Sequence, residues 1–158
     1  LQALHPGEVR LVTQNVDDLH ERGGSEEVCH MHGELLSRRC LTCEDIQCGR
    51  DPFDTDTACP SCGDAGNSLR PDIVWFGEVP MHMDQIIDWL GECELFIAIG
   101  TSGAVYPAAG FVRIAGQAGA VTLENNRQDS DVSSLFDHHI QGLAGETVPR
   151  LVDALLAD

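Results

Sequence analysis

The chain has 158 residues, 42% of them hydrophobic, and its 9 basic and 26 acidic side chains give a formal net charge of −17 at pH 7. That length builds one domain with a real core, or one domain carrying a small insertion. So acidic a surface repels phosphate backbones while tolerating basic polypeptide segments, and no apolar run reaches the roughly 20 residues of a membrane span; neither nucleic acid nor membrane is an expected partner.

In chain order, residues 9–12 (Val-Arg-Leu-Val) read as a buried strand ending at Thr13, which delivers Gln14-Asn15-Val16-Asp17 to the strand's end. Asn and Asp there are ordinary turn residues, and Asp17 can cap a short helix suggested over residues 18–22. The run His30-Met31-His32-Gly33 follows. Were it a strand, both imidazoles would share a face, so spacing alone does not choose between them. Residues 73–76 (Ile-Val-Trp-Phe) give a second short strand, stopped by Gly77. A helix is predicted over residues 84–90, with Ile86, Ile87 and Leu90 at helical spacing. The clearest strand is the apolar run 95–99, which ends at Gly100-Thr101-Ser102-Gly103. Residues 106–118 read as a helix with Pro107 in its first turn, where a missing N–H costs nothing. A fourth strand over 120–123 and a helix over 147–156, with Val148, Leu151, Val152 and Leu155 on one face, complete the order. Continuous rather than alternating apolar runs favour strands buried on both faces. Their alternation with helices predicts an α/β fold, a Rossmann-like doubly wound parallel sheet.

Residues 38–69 break this pattern, being poor in aliphatic side chains and rich in Cys, Asp, Gly and Pro. Such a stretch buries too little apolar surface to order itself without a staple. Cys40-x2-Cys43 and Cys59-x2-Cys62, separated by 15 residues, have the spacing of two zinc knuckles. Cys48 is a spare that could stand in for Cys43, and a redox CxxC pair is the other reading. A redox pair normally opens a helix after a strand, and neither pair here does. Four thiolates leave no open position, so one zinc ion here is structural rather than catalytic. The organisation expected is a Rossmann-like domain of residues 1–37 and 70–158 with a zinc-binding module, 38–69, inserted in it. Seven cysteines, four of them in CxxC pairs, suit a reducing compartment with metal rather than disulfides, so the expected location is cytoplasmic. Cys29 and Cys93 read as small core residues.

The polar run that begins at Thr13, then His30-Met31-His32-Gly33, then the paired cysteines, in this order, resemble the sirtuin family of NAD-dependent protein-lysine deacylases. The wording of residues 30–33 and 74–78 is most similar to the desuccinylase/deacetylase branch. The resemblance implies that His32, directly before Gly33, is the catalytic histidine that takes a proton from the nicotinamide ribose hydroxyl. It implies that Gln14, Asn15, Val16 and Asp17 contact the nicotinamide end of NAD. Gly100, Thr101 and Ser102 match the family's cofactor-contacting GTS, and Asn126, Arg127 and Gln128 align with the adenosine-ribose segment, with Ala144 an adenine neighbour. Val74, Trp75, Phe76, Gly77 and Glu78 resemble the substrate-binding strand, whose extended edge can add a peptide by main-chain pairing. An ordinary core strand with Trp75 and Phe76 packed inward is the competing reading. By family chemistry the acyl oxygen of acyl-lysine (acetyl, or succinyl or malonyl) attacks the nicotinamide ribose. Nicotinamide leaves, and deacylated lysine and O-acyl-ADP-ribose follow.

In sirtuins the first strand, the Gly-rich phosphate loop, and the Tyr and Arg that mark a preference for acidic acyl groups precede the position of Leu1. The sheet is therefore expected to be incomplete at its N-terminus, and the chain alone to bind NAD poorly. A non-catalytic, zinc-stabilised module that grips peptides along residues 74–78 is the alternative function.

Overall fold

The computed structural model describes residues 1–157, and the chain falls into two compact units, one of residues 10–83 and the other of Leu1–Val9 with Asp84 onward. The fold is mixed α/β with parallel sheets, as the apolar runs predict.

In the first unit, β1 (Leu11–Thr13) lies parallel to β2 (Val28–His30), with Thr13 opposite His30, and the short helix α1 (Leu19–Arg22) lies between them in sequence. An antiparallel sheet follows, ordered β4-β3-β5, from β3 (Gly33–Cys40), β4 (Ile46–Cys48) and β5 (Leu69–Ile73). The register of β3 against β5 shifts between Glu34 and Arg38, a bulge that bends the strand. Met31, wholly buried, is gripped through its backbone: its N–H donates to Thr13 O and its carbonyl accepts from Met81 N. Cys40, Cys59 and Leu69 form a small core with Phe53 packed against it.

In the second unit the parallel sheet β6-β7-β8 is built from β6 (Leu95–Ile99), β7 (Val121–Asn126) and β8 (His138–Gln141). Helix α2 (Met83–Glu92) precedes β6 and buries Ile86 and Leu90. Helix α3 (Phe111–Ala118) joins β6 to β7, buries Phe111, Val112 and Ala115, and stops at Gly119 in the left-handed conformation. Helix α4 (Ala144–Ala157) half-buries the predicted face, Val148, Leu151, Val152 and Leu155. Phe96 and Phe136 stack with ring centroids 6.2 Å apart.

Two local expectations are corrected, and the histidine run is resolved. Residues 73–76 are not a strand: β5 ends at Ile73, and the Trp75 carbonyl accepts the Glu78 N–H across a turn with Gly77 at φ +91°. The helix predicted from Tyr106 begins at Phe111, after a 3-10 turn over Ala108–Gly110, so Pro107 lies outside its first turn. His30 and His32 do not share one strand, because β2 ends at His30 and β3 begins at Gly33.

Candidate functional site

Gly33 explains why the histidine run breaks. Its φ is +79°, and a Cβ there would stand 2.0 Å from the Asp72 carbonyl oxygen, so only glycine lets β3 and β5 approach this closely. The Val74 N–H then donates to the His32 carbonyl at 2.9 Å, fixing the backbone of the turn that carries the imidazole.

The two histidines have different surroundings. His32 is half-buried, and its Nδ1 lies 3.0 Å from the Gln14 carbonyl oxygen. A carbonyl only accepts, so Nδ1 carries the proton, and in the neutral ring Nε2 is left with a lone pair. His30 is buried; its Nδ1 faces the Asn15 carbonyl at 3.3 Å and its Nε2 faces Glu21 Oε1 at 2.8 Å. Burial raises the Glu21 carboxyl, but the hydrogen bond from His30, a backbone hydrogen bond and the nearby His30 and His20 charges together outweigh it and hold Glu21 below the usual carboxylate range.

The remaining members of the polar run are held in the same loop. The Asn15 N–H donates to Thr13 Oγ1 at 3.1 Å, and the Val16 carbonyl accepts the Leu35 N–H at 2.8 Å. Asp17 Oδ1 accepts the Leu19 N–H at 3.1 Å, closing the entry to α1 one residue before the helix's own N-cap, Asp18.

The four cysteines converge. Their Sγ atoms all lie within 4.8 Å of one another, with Cys40–Cys62 and Cys43–Cys59 each 3.8 Å apart. A tetrahedron with Zn–S bonds of about 2.3 Å has edges of about 3.8 Å, so the donor set fits one structural zinc ion. The two knuckles repeat one backbone pattern. The Cys40 N–H donates to Asp45 O while Glu44 N donates to Cys40 O, and Cys59 N donates to Asp64 O while Gly63 N donates to Cys59 O. Both knuckles need a left-handed residue at the equivalent place, Glu44 (φ 61°) and Gly63 (φ 77°). The Cys43 N–H and then that of Thr42 pull the Cys40 thiol down, while at Cys43 and Cys62 a backbone N–H is outweighed by burial and the neighbouring thiols, which push theirs up. Cys48 instead lies 3.4 Å from Ser37 Oγ, outside the cluster.

Residues 74–78 form an exposed loop rather than a strand edge. Trp75 and Phe76 are open to solvent, Phe76 fully, so they do not pack inward. Glu78 shapes the loop: its carboxylate takes Arg70 Nη1 at 2.6 Å and Nη2 at 2.9 Å, and also the Trp75 N–H at 2.9 Å. The Arg70 hydrogen bond, then that N–H, pull the Glu78 carboxyl down to about 2. The Arg70 guanidinium lies 5.8 Å from the centre of the Trp75 ring.

In the second unit, Asn126 Nδ2 donates to the Thr101 carbonyl at 2.6 Å and its Oδ1 accepts the Arg127 N–H at 2.9 Å. Thr101 and Asn126 therefore meet at the carboxyl ends of β6 and β7, where open α/β sheets place ligands. Gly100 (φ +67°) and Ser102 are exposed beside them, as are Arg127 and Gln128 beyond β7, and Ala144 opens α4. Sequence reasoning missed Glu21 and Arg70. Each acts through a partner eight or nine residues away, and neither has a local signature.

The Sir2 family model matches residues 1–107. A Shewanella oneidensis protein named NAD-dependent protein deacylase is 53% identical over 157 residues, covering 99% of this chain and 64% of its own length. A protein of the same name from Caulobacter vibrioides is 50% identical over 151 residues, covering 96% of this chain and 63% of its own. The solved structure of a Sir2 homologue bound to NAD matches with a TM-score of 0.84 at 35% identity, over 94% of this chain and 58% of that one. The chain thus spans a little under two thirds of the length of the curated relatives it matches.

Proposed function

This chain belongs to the Sir2 family, and from that membership we propose that it carries the chemistry of an NAD-dependent protein-lysine deacylase. The observation that carries the reading is the His32 ring. Its Nδ1–H is committed to the Gln14 carbonyl, and its Nε2 has no hydrogen-bond partner among the described residues. A half-buried neutral imidazole so fixed is a general base suited to a sugar hydroxyl near neutral pH. NAD, when bound, would supply an electrophilic ribose and the ADP-ribosyl acceptor for the acyl group, with one water taken up so that lysine, nicotinamide and O-acyl-ADP-ribose are the products. Residues 14–17 are assigned to its nicotinamide end, and residues 100–102 and 126–128 with Ala144 to its adenosine end. The loop of Val74, Trp75, Phe76, Gly77 and Glu78 is assigned to the acyl-lysine peptide, and an exposed loop with two aromatic rings supports that role. The zinc-stapled stretch 38–69 acts as an insertion in a cofactor domain of residues 1–37 and 70–158. Thiols kept as metal ligands suit the cytoplasm as the place of action.

The test is nicotinamide release from NAD by this chain, with acetyl-lysine and succinyl-lysine peptides side by side. Peptide-dependent release supports the deacylase and ranks the acyl groups, and His32→Ala is expected to abolish it with zinc content unchanged. Release that survives His32→Ala removes His32 from the role of base. Peptide binding with no release by the unaltered chain favours the second reading, a zinc-stabilised peptide-binding module; the exposed Trp75 and Phe76 are what recommend it.

A further inference from the structure

Two histidines of one turn hold two consecutive backbone carbonyls, His32 that of Gln14 and His30 that of Asn15. The second ring does more. Its Nδ1 faces a carbonyl oxygen and its Nε2 a carboxylate oxygen, and both of those atoms only accept. Both contacts are hydrogen bonds at once only when the ring is doubly protonated, with Glu21 as its counter-charge. The ring is buried, 7% exposed, and both nitrogens are committed, so it has no free lone pair with which to take a substrate proton. Asn15 is thereby gripped on both sides, its N–H by Thr13 Oγ1 at 3.1 Å and its carbonyl by His30. The Gln14 carbonyl belongs to the same peptide group as that N–H.

We propose that the His30–Glu21 pair is a positioning device for His32: by pinning Asn15 it places the Gln14 carbonyl that selects the His32 tautomer and leaves Nε2 as the acceptor. This rests on the reading of His32 as the base. The path runs from Glu21 on α1 through His30 at the end of β2 to the loop after β1, and ends at the turn before β3. Every link is a hydrogen bond of 3.3 Å or less.

The experiment reads the ring protons directly, by histidine ¹⁵N NMR on the zinc-loaded chain, with signals assigned through His30→Ala and His32→Ala. In the unaltered chain His32 is expected in the Nδ1–H form alone. Glu21→Ala and His30→Ala are expected to mix its tautomers. Glu21→Gln keeps an acceptor oxygen for His30 Nε2 and is expected to restore the single form. The side chain of Glu21 is 39% exposed, so its variants test the pair even where His30→Ala fails to fold. With NAD and acyl-peptide, Glu21→Ala should lower kcat about 10- to 100-fold with peptide KM unchanged within about twofold, and Glu21→Gln should recover most of it. An unchanged His32 tautomer in folded, zinc-replete Glu21→Ala overturns the proposal whatever the turnover does. If the unaltered chain releases no nicotinamide, the ring spectra still decide whether the pair positions His32.

Discussion

At position 33 one hydrogen atom decides whether the turn carrying His32 exists. An alanine there must both adopt φ near +79° and place its Cβ 2.0 Å from the Asp72 oxygen, and neither contact partner is a flexible side-chain end. The β3–β5 pairing has to open to make room. Gly33→Ala is expected to cost at least about 3 kcal/mol. In a chain of this size that lowers the melting temperature by roughly 10 °C, with zinc affinity falling in step. A melt within a few degrees of the unaltered chain would show that the backbone relaxes at little cost. The same residue marks how far the sequence could be read. The four cysteines were legible outright, because CxxC spacing encodes its own local geometry, whereas nothing in the wording of residues 30–33 revealed the turn. The division of labour between His30 and His32 was not legible from spacing. It depends on the Gln14 and Asn15 carbonyls and on Glu21, which the fold brings up from 9 to 18 residues away.

Among the elements, the end of β5 and the loop after it depart furthest from expectation. Residues 73–76 have strand composition, and nothing in their pattern reveals that Glu78 folds back on the Trp75 N–H while Arg70 holds its carboxylate. The loop's shape is thus set by a side-chain brace with Gly77 supplying the positive φ, and β-propensity loses. By contrast, β6 was read to the residue, since a continuous apolar run has no competing polar contacts to redirect it. Glu78 is depressed to about 2 from its ordinary 4.5, so its contribution to the brace is complete above about 4.5 and is lost only as the pH falls toward 2. The ¹³C shift of its carboxyl should therefore stay flat from pH 7 down to about 4, and a titration midpoint near 4.5 would contradict the brace. Arg70→Ala removes both the guanidinium fork and its contact with Trp75. Severalfold weaker peptide binding with zinc content and NAD affinity unchanged is the expected outcome, and unchanged peptide affinity would detach the brace from recognition.

For the molecule as a whole, zinc should govern the stability of one part of the chain and not the other. Between Cys40 and Leu69 regular structure is confined to the three residues of β4, and the buried residues there are two of the cysteines, Ser68 and Leu69, with Phe53 packed against them. Apolar burial that small does not offset the ordering of some thirty residues at about 1–2 kcal/mol each, so metal ligation has to provide much of the balance. The sheet β6-β7-β8 stands on different terms. Among the described residues its strands pair only with each other, and Ile86, Leu90, Phe111, Val112, Ala115 and Phe136 give that unit an apolar core of its own. Chelation is therefore expected to strip hydrogen-exchange protection from residues 33–73 while residues 95–141 keep theirs. Unfolding followed by Trp75 and by Trp89, in single-tryptophan variants, should then separate into two transitions instead of one. Cys59→Ala, which deletes a buried ligand, should reproduce the chelated pattern at saturating zinc. Coincident loss of both regions would mean that the chain unfolds as one cooperative body, with the zinc knuckles holding the parallel sheet as well as their own loops.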